Sequence, residues 1–127
     1  MSARGVLQAA LVARLNVVLE VSVFDAPPVR GGLPYAVVDE PVLSDWSTKS
    51  FAGREGRVLL TLFDGGERPV RLRALLAAAE EGLEALPPDL GEGWRVVRLA
   101  LVRSRVLRVG DRWRGTSEFL VRMYRES

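Results

Sequence analysis

Cysteine and histidine are both missing from this chain of 127 residues. Without cysteine there is neither a disulfide framework nor a thiolate metal site. Without histidine the commonest general base and the commonest transition-metal ligand are gone. Ser-His-Asp and Cys-His catalysis are thereby excluded, which argues strongly against a hydrolase. Lysine is nearly missing too: 17 of the 18 basic residues are arginine, and Lys49 is the single lysine. Such an excess fits a GC-rich genome. It also fits an interface, where the planar guanidinium forms bidentate pairs. No apolar run reaches the length that spans a membrane. The apolar stretch at the N-terminus is interrupted by Gln8 and Arg14 and continues as an amphipathic pattern. It is therefore expected to be a helix and not an export signal.

What is present describes a soluble globular protein. Hydrophobic residues make up 48% and charged residues 27%, ordinary proportions for that class. The length suits one domain, residues 1–127, with a real core. The net charge of +2 is unevenly spread. Residues 1–93 hold nine basic and thirteen acidic groups, net −4, and residues 94–127 hold nine basic and three acidic groups, net +6. The basic part suits nucleic acid or complementary docking between copies of the same chain.

Periodicity gives the elements. Leu7, Leu11, Leu15 and Val18 follow helical spacing, predicting a helix from about Ser2 to Leu15 or Leu19. Val6, Ala10 and Ala13 add a neighbouring face, so this helix is expected to be well covered. A strand near Val21–Phe24 precedes the turn-rich stretch Ala26–Gly32. Tyr35–Leu43 reads as a strand bent or broken at Pro41. Ser44–Gly56 reads as a polar loop, and Arg57–Phe63 as a strand. A second helix is expected from near Pro69, with Leu72, Leu75, Leu76, Ala79, Leu83 and Leu86 in one stripe, stopped by Pro87-Pro88.

Trp94–Val109 and Arg112–Tyr124 then form a hairpin around Gly110-Asp111, suited to a type II′ turn. That turn pairs Val106 with Gly115, Ser104 with Ser117, Val102 with Phe119 and Ala100 with Val121, on a face expected to be core. The opposite face pairs Arg105 with Thr116, Arg103 with Glu118, Leu101 with Leu120 and Leu99 with Arg122. Strands this long, against a usual mode of about 5–6 residues, suggest a projecting tip carrying Arg103, Arg105, Arg108, Arg112 and Arg114. The expected fold is α+β: a mixed or antiparallel sheet of about five strands with two main helices packed on it, ending in a long β-hairpin. A sheet apolar on both faces needs cover on both, from a helix or from a neighbouring subunit.

Candidate chemistry is sparse. Ser47, Ser50 and Lys49 suggest a Ser-Lys dyad, but nothing in the sequence lowers the lysine's pKa. Asp39, Glu40, Asp45 and Glu55 are oxygen donors whose spacing matches no known metal loop; they read as solvated charge. The glycine pairs lack a P-loop lysine or a dinucleotide fingerprint and read as turns. No catalytic residue, cofactor or metal is expected. Asp45-Trp46-Ser47-Thr48-Lys49, with Arg54 nearby, reads either as a recognition loop anchored by Trp46 or as a loop whose Trp46 plugs the domain's own core. Glu80, Glu81 and Glu84 read as a solvent face or as partners for the arginine-rich hairpin of the next subunit. With Trp113 and Phe119 assigned to the core, base stacking by the basic part is poorly supported.

The ordered landmarks resemble a family. They are Phe24-Asp25-Ala26-Pro27 after a helix, Leu33-Pro34-Tyr35 at a strand start, Asp45–Lys49, and Gly53 to Glu55 before the next strand. An Arg/Ala-rich helix and a terminal hairpin complete the set. Together they resemble the tail-completion (tail-terminator) proteins of long-tailed bacteriophages and of gene transfer agents, over nearly the whole chain. The resemblance implies a structural virion protein at the neck, assembled in the bacterial host cytoplasm. Six subunits would form a ring on the head-proximal end of the tail tube, stopping its growth and meeting the head-completion proteins. DNA would pass through the lumen without specific recognition, and no membrane is involved. A head–tail connector or head-closure component is the alternative at the same junction. A small Arg-rich nucleic-acid-binding protein is the alternative from another class.

Overall fold

The computed structural model describes residues 1–126. In chain order its elements are α1 (Ala3–Val18), β1 (Ser22–Phe24), β2 (Tyr35–Val38), β3 (Val42–Asp45) and β4 (Phe51–Asp64). They continue with α2 (Val70–Glu84), β5 (Asp89–Gly91), β6 (Trp94–Val109) and β7 (Arg112–Glu126).

Ser2 starts α1, its hydroxyl accepting the Gly5 N–H at 3.0 Å, which satisfies one of the free donors of the first turn. Leu7, Leu11 and Leu15 are fully buried, as their spacing requires. Ala9, Ala13 and Val17 are exposed, so α1 is covered on one side only, less than its apolar neighbours suggested. On α2 the buried stripe is Leu72, Leu76, Ala79 and Leu83. The helix ends at Glu84, a turn before the prolines. The two helices touch at Gly82. A Cβ there would lie 2.8 Å from Val18 Cγ2, and the Gly82 carbonyl accepts Arg14 Nε at 2.9 Å.

The strands form one sheet in the order β1-β2-β4-β7-β6-β5, with β3 also on β4. β1 runs parallel to β2 and the other pairs are antiparallel. The class is therefore α+β as expected, with seven strands in place of about five. Tyr35–Leu43 divides at Asp39-Glu40-Pro41 into β2 and β3, both pairing with β4. Asp89–Gly91 adds a short strand beside the start of β6.

The largest departure is Ser44–Gly56, which is not a loop. β3 and the first half of β4 form a hairpin there, with Asp45 opposite Arg54. It tightens further where the Trp46 N–H reaches the Gly53 carbonyl at 2.9 Å. Gly53 and Gly56 are not turn residues. A Cβ at Gly56 would land on the Val42 carbonyl, and one at Gly53 on that of Trp46. Glycine is what lets the two backbones close.

In the last hairpin only Gly110 of the two turn residues has positive φ, at 64°, which fits type II′. The pairs from Val106–Gly115 to Arg103–Glu118 stand as the turn dictates. A bulge at Val102 then shifts the register by one: Phe119 faces Leu101, Leu120 faces Ala100 and Val121 faces Leu99. A second bulge at Val97 follows. An extra residue in one strand moves every later side chain to the other face. Leu99 therefore packs on the core, whereas Val102 is 43% exposed. The tip does not project, because β4, 14 residues long, runs beside β7 until Asp64 stands opposite Trp113. Trp113 Nε1 and Arg108 Nη1 both donate to the Gly66 carbonyl, at 3.1 and 3.0 Å, pinning the tip to the β4–α2 connection.

Both helices lie on one face of the sheet. Val58, Leu60 and Leu62 of β4 and Phe119, Val121 and Met123 of β7 meet them in the core. Among the described residues no helix covers the opposite face.

Candidate assembly interface

Alternation along β4 and β7 decides what the uncovered face carries. Residues at odd positions of β4 and even positions of β7 point away from the helices. Three groups result. At one end Tyr35 and Phe63 stack with ring centroids 5.0 Å apart, and Phe24 meets Tyr35 edge-on at 5.8 Å. Beside them lies a cleft of about 400 Å³. Its polar lining is Asp39, Thr61, Thr116 and Arg114, with the Thr61 hydroxyl donating to Asp39 Oδ2 at 3.0 Å.

The middle of the face is a row of charges. Glu118 sits between Arg57 and Arg103, at 3.4 and 3.3 Å. Glu55 accepts Arg122 Nε at 3.0 Å. At the far end Trp46 packs against Phe51, which packs against Tyr124, with centroids 5.6 and 5.5 Å apart. The Arg122 guanidinium lies 5.3 Å over the Trp46 ring. The face thus carries two aromatic clusters separated by ion pairs. Such pairs are individually weak where water reaches them, but they fix the direction in which arginines point.

The β3–β4 hairpin is ordered by its own residues. The Ser47 hydroxyl donates to Asp45 Oδ1 at 2.5 Å, and the Ser47 N–H reaches the same oxygen at 3.2 Å. The Gly53 N–H donates to Ser47 Oγ at 2.9 Å. Arg54 Nη1 donates to the Gly53 carbonyl at 2.7 Å and faces Asp45 Oδ1 at 3.4 Å. The Asp45 carboxyl is held below its ordinary range, first by the Ser47 hydroxyl and then by the Ser47 N–H and the Arg54 charge. Ser47 is thus occupied by Asp45 and not by Lys49, which stands exposed at the apex. The four carboxylates considered as metal donors are spread apart. Asp39 binds Thr61, Glu40 faces Arg4 at 3.6 Å, Asp45 binds Ser47, and Glu55 binds Arg122.

The residues singled out from sequence fall into separate groups. Trp46, Arg103, Arg105 and Arg114 share the uncovered face. Arg112 is exposed beside the turn. Arg108 lies over the Trp113 ring at 4.9 Å and is tied to Gly66. Glu80 and Glu84 turn toward their own sheet: Glu80 Oε2 accepts the Ser117 hydroxyl at 2.5 Å, and Glu84 Oε2 accepts the Leu101 N–H at 3.1 Å. Trp46 does not plug the domain's own core: it is half-buried against Phe51 on the face away from the helices. Glu55, Arg57, Glu118 and Arg122 were missed. Glu55 was hidden by reading Ser44–Gly56 as a loop, and Arg57, Glu118 and Arg122 come together only through the β4–β7 pairing.

The Ser47 and Ser117 hydroxyls are each bound to a carboxylate, of Asp45 and Glu80, and Lys49 shares no hydrogen bond with either serine among the described residues. The family model described as Tail completion protein gp17 matches residues 6–124.

The chain belongs to the tail completion protein gp17 family.

This bears out the resemblance drawn from the ordered landmarks. Among solved structures, a chain of one described as "Virion of native gene transfer agent (GTA) particle" superposes with a TM-score of 0.81. It is 26% identical and covers 98% of this chain and 99% of its own. No curated protein sequence matches.

Proposed function

We propose that this chain is a tail terminator. Six copies form a ring on the head-proximal end of the tail tube, stop tube polymerisation and present a surface to the head-completion proteins. DNA passes through the lumen without being read. The protein acts by contact alone, at the neck of the virion, after assembly in the host cytoplasm.

The observation that carries this reading is the likeness, over almost all of both chains, to a chain of a gene transfer agent virion. The bare sheet face supports it, because a face with ordered aromatics and fixed arginines is suited to burial between proteins. Trp46, Lys49, Arg103, Arg105, Arg112 and Arg114 are the residues offered outward. Asp45, Arg54, Glu80, Glu84 and Arg108 hold the subunit together. Sixfold symmetry rests on the family resemblance.

Deleting the gene tests the proposal. Electron microscopy is expected to show tails of irregular length and heads without tails, both corrected by expressing the chain in trans. Particles of normal tail length that still deliver DNA would end it.

A further inference from the structure

Two strands near opposite ends of the sheet differ in charge: β1 is flanked by acids, whereas β6 is basic, with Glu84 and Asp89 the acids beside it. At one end β1 pairs with β2 alone. Glu20 and Asp25, both exposed, bracket it with no basic residue between them. At the other end β6 pairs with β5 only at Trp94 and Arg95. Beyond that point its outer edge has no strand beside it among the described residues. β6 holds five arginines and no acidic residue.

That edge is also apolar and partly unbonded. Val97, Leu101 and Val102 are 56%, 37% and 43% exposed. The Val96 N–H is used by the Pro88 carbonyl at 2.8 Å and the Leu101 N–H by Glu84. Nearer the turn the ladder alternates. In a two-residue hairpin the flanking pair, here Val109 and Arg112, exchanges both hydrogen bonds. Ser104, Val106 and Arg108 therefore direct their N–H and C=O groups to the free side. A long edge of this kind is a template for another strand.

We propose that the free edge of β6 docks head to tail on the β1 edge of a second copy of this chain, so that the sheet continues from one subunit to the next. This rests on the ring reading and supplies its contact. The two edges are unlike, which is what a closed ring requires; a twofold dimer would use one patch twice. Glu20 and Asp25 meet Arg98 and Arg105, neither of which has an acidic partner among the described residues of its own chain. The apolar residues of β6 are covered at the same time.

The absence of cysteine makes the test clean. Ser22→Cys places a thiol on β1, Ser104→Cys places one on β6, and Ser50→Cys on the hairpin apex serves as control. All three serines are exposed, and the change is nearly isosteric. With a short bis-maleimide, a mixture of the Ser22→Cys and Ser104→Cys chains is expected to give dimers, and the variant carrying both a ladder. Ser50→Cys mixed with Ser104→Cys should give at least tenfold less. Separately, Arg105→Glu is expected to weaken self-association at least tenfold in sedimentation, and mixing it with Glu20→Arg chains to restore it. A closed oligomer with no β1–β6 cross-link overturns this contact and leaves the ring standing. A wild-type chain that stays monomeric at every concentration overturns both.

Discussion

Arg71 holds Asp64 in a two-point grip, Nε to Oδ2 at 2.8 Å and Nη2 to Oδ1 at 2.6 Å. Asp64 ends β4, its side chain is 4% exposed, and Oδ1 also accepts the Gly65 N–H at 2.8 Å. The carboxylate thereby joins the last residue of the strand to the first turn of α2.

The grip makes stability depend on acid. Asp64 is held below the ordinary 3.8, first by the Arg71 hydrogen bond, with burial opposing and the Gly65 N–H assisting. A carboxyl whose folded pKa is depressed contributes stability that is fully present above its unfolded value. That contribution is lost as pH falls through the folded value. Asp64→Asn is expected to cost about 1–3 kcal/mol near neutral pH, the usual range for losing a charged hydrogen-bond partner. Urea denaturation of the two proteins should show that gap closing below about pH 4. A gap constant down to strongly acid pH would remove this account.

Two glycines separate close backbones from close side chains. A methyl at Gly56 meets the Val42 carbonyl and the Leu43 Cα, both main chain. One at Gly115 meets Leu76 methyls at 3.2 and 3.4 Å, which can move by a rotamer change. Gly56→Ala should therefore cost more than Gly115→Ala, the first exceeding the roughly 1–3 kcal/mol typical of overpacking. Thermal melts of both variants check the order, and equal melting temperatures would contradict it.

The bulge at Val102 is held from outside the sheet. Beside it, the Leu101 N–H would face solvent without a partner strand, and Glu84 of α2 accepts it. Glu84→Ala is expected to speed hydrogen exchange at the Leu101 amide at least tenfold while leaving the Arg103–Glu118 end of the hairpin unchanged. Exchange measured residue by residue by NMR decides this. An unaltered Leu101 amide would mean that the bulge holds itself.

Lys49 gives the β3–β4 hairpin a built-in reporter. A lysine-specific protease has one site in the whole chain, at the apex of that turn. Asp45 organises the turn through Ser47. Asp45→Ala should therefore raise the rate of cleavage after Lys49 severalfold, with little change in the global unfolding midpoint. If the rate is unchanged, the Asp45–Ser47 contact does not order the loop.

Much of this fold was legible where one residue type meets one backbone need. Gly110-Asp111 announced its turn and the four pairs beyond it, because positive φ at the first position and a two-residue loop fix a register. The leucines of α1 and α2 announced their buried stripes by spacing alone. The bulges were silent, since Val97 and Val102 look like any other valine of a strand and only three-dimensional pairing selects them. Gly53-Arg54-Glu55-Gly56 misled for a related reason. Glycine beside charge resembles a turn, whereas these glycines serve close approach within a strand. The uncovered sheet face was legible only in part. Trp46 and the hairpin arginines stood out, but the grouping of Trp46 with Arg103, Arg105 and Arg114 on one face depended on the extended β4, and the inward turn of Glu80 and Glu84 depended on where α2 sits.

β4 and β7 run side by side from Phe51–Glu126 to Asp64–Trp113 without a break in register. Their hydrogen bonds lie across the direction of the strands. Tension applied along the pair is consequently shared by every rung at once, as in a lap joint under shear, and cannot peel the rungs one after another. A subunit threaded by such a seam resists extension best along the strand direction of β4 and β7.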